Sequence, residues 1–115
     1  MVKVKEIKNY KDFEDFVNFE KEMLHVVKLG AKWCGPCNTM TKTISSLDSE
    51  KVKNVLFAEV DIEIEENDDI VAEFNIRSIP VTIFIKNGEI IEKKVGGLTS
   101  DMLYNTIYYI SLLKK

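Results

Sequence analysis

Three observations predict an α/β fold for this sequence, a mixed sheet held between helices as a three-layer α/β/α sandwich. Segments of strand and helix periodicity alternate along the chain, residues 23–31 are apolar almost throughout, and two strand-like runs flank Asn87-Gly88. Strands separated by helices need right-handed parallel crossovers, whereas a two-residue Asn-Gly turn joins antiparallel neighbours. The order that follows is βαβαβαββα, a parallel portion with an antiparallel terminal hairpin.

Each element has its own reason. "VKVKEI" (2–7) alternates apolar and charged residues and reads as a half-exposed edge strand. Asn9 can cap the helix that follows, with Asp12 in the favourable first turn and Phe13, Phe16 and Val17 as its buried stripe. "MLHVVKLGA" (23–31) is short and apolar, as suits a central strand covered on both faces. From Gly35 to about Asp48, Met40, Ile44 and Leu47 recur at helical spacing. "NVLFAEVDI" (54–62) is a further strand, and "NDDIVAEF" (67–74) a short helix with Asn67 as its cap. After Pro80 come "VTIFI" and "EIIEKKV". Thr99 or Ser100 then caps a last helix that turns Leu103, Ile107, Ile110 and Leu113 inward and ends in Lys114 and Lys115, which suit its negative pole.

Length and composition narrow the function. A chain of 115 residues, 45% of them hydrophobic, is expected to be one domain, residues 1–115, with a core of its own. The 16 basic and 19 acidic side chains leave a net charge of −3, and no Lys/Arg block is present to displace counterions from a phosphate backbone. Nucleic acid is not an expected partner. The first residues carry lysines but no apolar run of signal-peptide length, and no later stretch reaches the ~20 apolar residues of a membrane span. A cytoplasmic protein is expected. In that reducing compartment a persistent structural disulfide is not, so the only cysteines, Cys34 and Cys37, read as catalytic or metal-binding.

Those two cysteines fall where a buried strand gives way to a helix. Cys34 at the helix N-terminus faces unsatisfied N–H groups and the positive end of the dipole, both of which favour a thiolate. Its pKa should fall below the ordinary thiol value. Cys37, one turn further in, is close enough for a disulfide and less exposed, so Cys34 is expected to attack and Cys37 to resolve. Gly35 permits close approach, and Pro36 suits a first helical turn because it has no N–H to leave unpaired. Zinc is disfavoured, since four ligands are needed and the chain offers two Cys and one distant His. That residue, His25, lies within the apolar strand and is assigned no role. The acidic run 61–69 reads as a solvated loop, and Tyr104, Tyr108 and Tyr109 as packing residues of the last helix.

"WCGPC" (33–37), "IRSIP" (76–80) and "KNGEIIEKKVGG" (86–97), in that order on a βαβαβαββα chain, resemble the thioredoxin family over essentially the whole length. The resemblance implies a thioredoxin-like fold and a protein-disulfide reductase that needs no cofactor. It implies that Pro80 is cis and faces the cysteines, that Ile79 offers backbone hydrogen bonds to an extended substrate, and that Trp33 and Gly96-Gly97 line the same groove. With Gly35 and Pro36 these complete the expected substrate-binding set. Protein disulfides are the implied substrates, thioredoxin reductase the implied source of electrons, and a monomer the expected state. The alternative is a thioredoxin-fold binding module that uses the groove around Pro80, with a secondary or regulatory redox role.

Two positions depart from the family's pattern. Its usual proline five residues after the second cysteine is Lys42 here, which removes the usual cause of a bend. Its buried aspartate, six residues before the first cysteine, is Lys28, and ungapped counting from Pro80 puts Asp61 at the position of the lysine that pairs with it. Lys28 and Asp61 are therefore expected to form a buried pair of exchanged charges. Asp61 would take the proton of Cys37 while Lys28 favoured its thiolate.

Overall fold

The computed structural model describes residues 2–113. In chain order the elements are β1 (Val4–Ile7), α1 (Tyr10–Asn18), β2 (Leu24–Gly30), α2 (Gly35–Ser45), β3 (Val55–Asp61), a 3-10 turn (Glu65–Asn67), α3 (Asp68–Glu73), β4 (Val81–Lys86), β5 (Glu89–Val95) and α4 (Ser100–Ser111). The five strands form one sheet in the order β1-β3-β2-β4-β5, with β1, β3 and β2 parallel and β4 and β5 antiparallel to their neighbours. The expected βαβαβαββα order is the observed one. Every residue of β2 is buried, as its apolar run requires at the centre of the sheet, and β1 lies at an edge.

The period-two alternation of the strands divides the core. Val27, Leu29, Val60 and Ile83 face Phe13 and Phe16 of α1 and Ile70 of α3. Val26, Phe57 and Phe84 face Met40 and Ile44 of α2 and Leu103, Ile107 and Ile110 of α4. Two helices therefore cover each face, and each presents one apolar stripe. Lys28 lies between residues of the first set, so it points with Val26 toward α2. Glu59 does the same on β3, on the face of Phe57. This alternation decides the surroundings of the cysteines.

Local signals account for most boundaries. Asn9 caps α1 by accepting the Asp12 N–H at 2.8 Å, and Asp12 accepts the Lys8 N–H at 3.0 Å. Thr99, rather than Ser100, caps α4 through the Met102 N–H at 3.1 Å. Asn87 and Gly88 both take positive φ, 55° and 78°, as a two-residue hairpin turn demands. The α2 helix runs without interruption through Lys42. Among the described residues no helix is long and apolar enough to cross a membrane.

Four expectations are corrected. Asn67 does not cap α3 with its side chain; it is buried, and its Nδ2 donates to the Asp61 carbonyl at 3.0 Å and the Ile7 carbonyl at 3.4 Å. Beside the ends of β1 and β3, its amide pairs two backbone carbonyls that the sheet leaves there. Leu113 is exposed because α4 has already ended at Ser111, and Lys114 and Lys115 lie outside the described residues. Tyr108 and Tyr109 also face outward; only Tyr104 packs, its hydroxyl accepting the Asp48 N–H at 2.7 Å. Finally α2 stops at Ser45, with Leu47 buried just beyond it.

Candidate active site

β2 ends at Gly30, and the chain turns through Ala31–Trp33 into α2. The turn is held by the Cys34 N–H on the Ala31 carbonyl at 3.2 Å and by the Asn38 amide on the Lys32 carbonyl at 2.9 Å. Cys34 is the N-cap of α2 in extended conformation, and its Sγ accepts the Cys37 N–H at 3.2 Å. A sulfur in that position takes up one of the helix's orphan donors, an arrangement that strengthens when the sulfur is an anion. Pro36 sits in the first turn, where its missing N–H leaves nothing unpaired.

Cys34 and Cys37 are joined as a disulfide, with Cα atoms 5.2 Å apart. Cys37 is fully buried, whereas Cys34 keeps 6% of its surface. The expected asymmetry is present, although disulfide formation leaves even Cys34 little exposed. Ala31 completes the small buried cluster, with Ile62 and Ile79 packed against it. The Ile79–Pro80 peptide is cis, as the family resemblance implies, and Pro80 is buried. The Pro80 carbonyl accepts the Gly96 N–H at 2.8 Å, and Gly96 has φ of +97°, which any side chain would strain. Gly96-Gly97 is thereby tied to the proline segment. Trp33 is 71% exposed beside Cys34, and its indole donates to Glu63 Oε2 at 3.2 Å. Trp33 lines the site from outside it and is no part of the core.

The charged pair behind the cysteines is where the sequence-based expectation fails. Lys28 is 6% exposed, but its Nζ lies 3.3 Å from Glu59 Oε1, and its register partner on β3 is also Glu59. Asp61 is opposite Gly30 and accepts the Glu63 N–H at 2.9 Å. The Lys28–Asp61 pair is not formed. Counting back from Pro80 lands two residues late on β3, and a two-residue error keeps the same face, so hydrophobic alternation alone gives no warning. Thr41 Oγ1, on the α2 turn that follows Cys37, lies 3.2 Å from Glu59 Oε1 and 3.2 Å from the Cys37 carbonyl oxygen. Glu59, Thr41 and Glu63 are the residues that sequence reasoning missed. Glu59 was within reach of a careful parallel register of β2 on β3, but the Trp33–Glu63 contact leaves no local pattern.

His25 has no place in this site. Buried on the opposite face of β2, it lies edge-on to Phe16, with its ring nitrogens against the carbonyls of Met23 and Phe19 at 3.0 and 2.8 Å. Among the described residues, no three His, Cys, Asp or Glu side chains gather as a metal site.

The sequence model of the thioredoxin family matches residues 3–109. The chain belongs to the thioredoxin family. It is 37% identical to the thioredoxin of Bos taurus over 107 residues, spanning 90% of this chain and 95% of that one. The thioredoxin of Equus caballus is 36% identical over 104 residues, with the same two coverages. Among solved structures, the thioredoxin of Fasciola hepatica superposes with a TM-score of 0.82 at 28% identity, covering 92% of this chain and 98% of its own. Membership of this family together with the Cys34–Cys37 disulfide makes the protein a thiol–disulfide oxidoreductase. The alternative of a binding module with a secondary or regulatory redox role is not favoured.

Proposed function

We propose that this thioredoxin reduces protein disulfides, with Cys34 as nucleophile and Cys37 as resolving thiol. The observation that carries the assignment is the position of Cys34 Sγ on the Cys37 N–H at the start of α2. The Cys34 thiolate attacks one sulfur of a substrate disulfide, and the other leaves as a thiolate that takes up a proton. Cys37, its proton given up to solvent, then attacks Cys34 Sγ as the thiolate. The mixed disulfide breaks, the second substrate sulfur departs and is protonated, and the Cys34–Cys37 disulfide remains. Two electrons have passed to the substrate.

In this proposal Trp33, Gly35, Pro36, Ile79, Pro80, Gly96 and Gly97 bind the substrate segment, a reading supported by Ile79 packing on the Cys34–Cys37 cluster and by the Gly96 N–H on the Pro80 carbonyl. An extended substrate segment laid there meets a flat apolar surface with backbone polar groups at its edge. Thioredoxin reductase as electron donor, a monomeric state and a cytoplasmic location complete the proposal, in which the protein relays electrons between that enzyme and its targets.

The roles of the two sulfurs separate in one experiment. Cys37→Ser is expected to accumulate mixed disulfides with target proteins, seen as reducible bands on non-reducing gels, whereas Cys34→Ser traps almost none. Equal trapping by the two variants would remove the assignment.

A further inference from the structure

Behind Cys37 the sheet carries a cation. A Cβ built on Gly30 would meet Cys37 Sγ at 2.8 Å and Lys28 Nζ at 3.5 Å, so the inner sulfur and the ammonium share the space left by that absent side chain. Glu59, the ion-pair partner of Lys28, has a side chain about one-third exposed. A cavity of about 170 Å³ opens there, with Glu6 of β1, Lys28 of β2, Glu59 and Asp61 of β3, Lys32 of the loop and Thr41 of α2 in its wall. Glu6, Glu59 and Asp61 line that cavity together with Lys28, while Lys28 Nζ and Cys37 Sγ both border the space at Gly30.

We propose that the Lys28 ammonium holds Cys37 as a thiolate once the couple is reduced, and that Glu59 and Thr41 fix Lys28 in that position. Lys28 is thus a positioning residue, acting on the reaction through the sulfur of Cys37. The inference rests on Cys37 being the resolving thiol. On this reading, resolution of the mixed disulfide needs no base at the moment of attack. The Cys37 proton has already left through the opening at Glu59 to solvent, and the departing substrate sulfur takes a proton from solvent, so the resolving half, counted from the Cys37 thiol, exchanges one proton for one. A charge placed so also stabilises the reduced protein relative to its disulfide, which moves the couple toward the oxidising side. An opposite charge within ~4–6 Å typically moves a thiol's titration by roughly 1–3 pH units.

Stopped-flow reaction of the reduced protein with Ellman's reagent tests this, because one thionitrobenzoate is released when Cys34 attacks and a second when Cys37 resolves. In Lys28→Met the second phase is expected to slow at least about tenfold at pH 6 and to recover at higher pH, its midpoint moving up by about one unit. The reduction potential of that variant falls, by about 30 mV for each tenfold change in the equilibrium constant of the couple. Glu59→Gln, which keeps the ammonium, is expected to leave the midpoint at or below that of the wild type. Lys28→Gln serves in place of Lys28→Met if the latter does not fold. An unchanged second phase without Lys28, or a rise in midpoint of the same size in Glu59→Gln, would overturn the proposal. Absence of any second phase in the wild type would instead remove the resolving role of Cys37.

Discussion

Cys34→Ser is expected to lower the reduction of insulin disulfides, with dithiothreitol as electron source, by at least about a thousandfold, to the rate of dithiothreitol alone. The size of the effect follows from chemistry rather than from affinity. A hydroxyl at the start of α2 still accepts the N–H that Cys34 Sγ accepts, so α2 keeps its cap and the fold its stability. What is lost is the covalent step, because serine at neutral pH, with no base beside it, does not attack sulfur. Wild-type thermal stability with turnover at background is the expected pair of readings, and retained turnover would place the nucleophile elsewhere.

Phe84→Ala is expected to destabilise the chain by about 3–5 kcal/mol, read as a lower midpoint in urea with little change in slope. Phe84 is fully buried at the centre of the sheet, opposite Val26 on β2, and packs in the cluster that seats α2 and α4. Its removal leaves a cavity beneath both helices that neighbouring strands are too constrained to fill. A loss below about 1 kcal/mol would mean that this face of the core is far looser than its burial indicates.

The parts of this protein written in local sequence were the parts legible from it. Period-two alternation, short apolar runs and helical spacing placed the five strands and four helices, Asn87-Gly88 set the hairpin, and Asn9 and Thr99 marked two helix starts. The site was legible for the same reason: Cys34, Gly35, Pro36 and Cys37 form one turn of backbone, and the chemistry of a helix N-terminus is a local property. What could not be read was settled by contacts distant in sequence. The partner of Lys28 depends on the register of β2 on β3, and the two candidate carboxylates, Glu59 and Asp61, lie on the same face two residues apart. Asn67 looked like a cap because its type suits one, yet the ends of the neighbouring strands β1 and β3 offered it two backbone carbonyls. Trp33 and Glu63 meet only because the sheet brings two loops to one end.

The most direct test of the redox couple is a single turnover without any added reductant. Fully reduced protein, freed of reducing agent, is mixed with an equal amount of a protein carrying one accessible disulfide, then quenched with acid and weighed by mass spectrometry with peptide mapping. The account predicts that each chain becomes lighter by two hydrogen atoms with Cys34 and Cys37 linked, and that the substrate gains two thiols in the same amount. A substrate disulfide left intact, or opened while Cys34 and Cys37 remain free thiols, would contradict it.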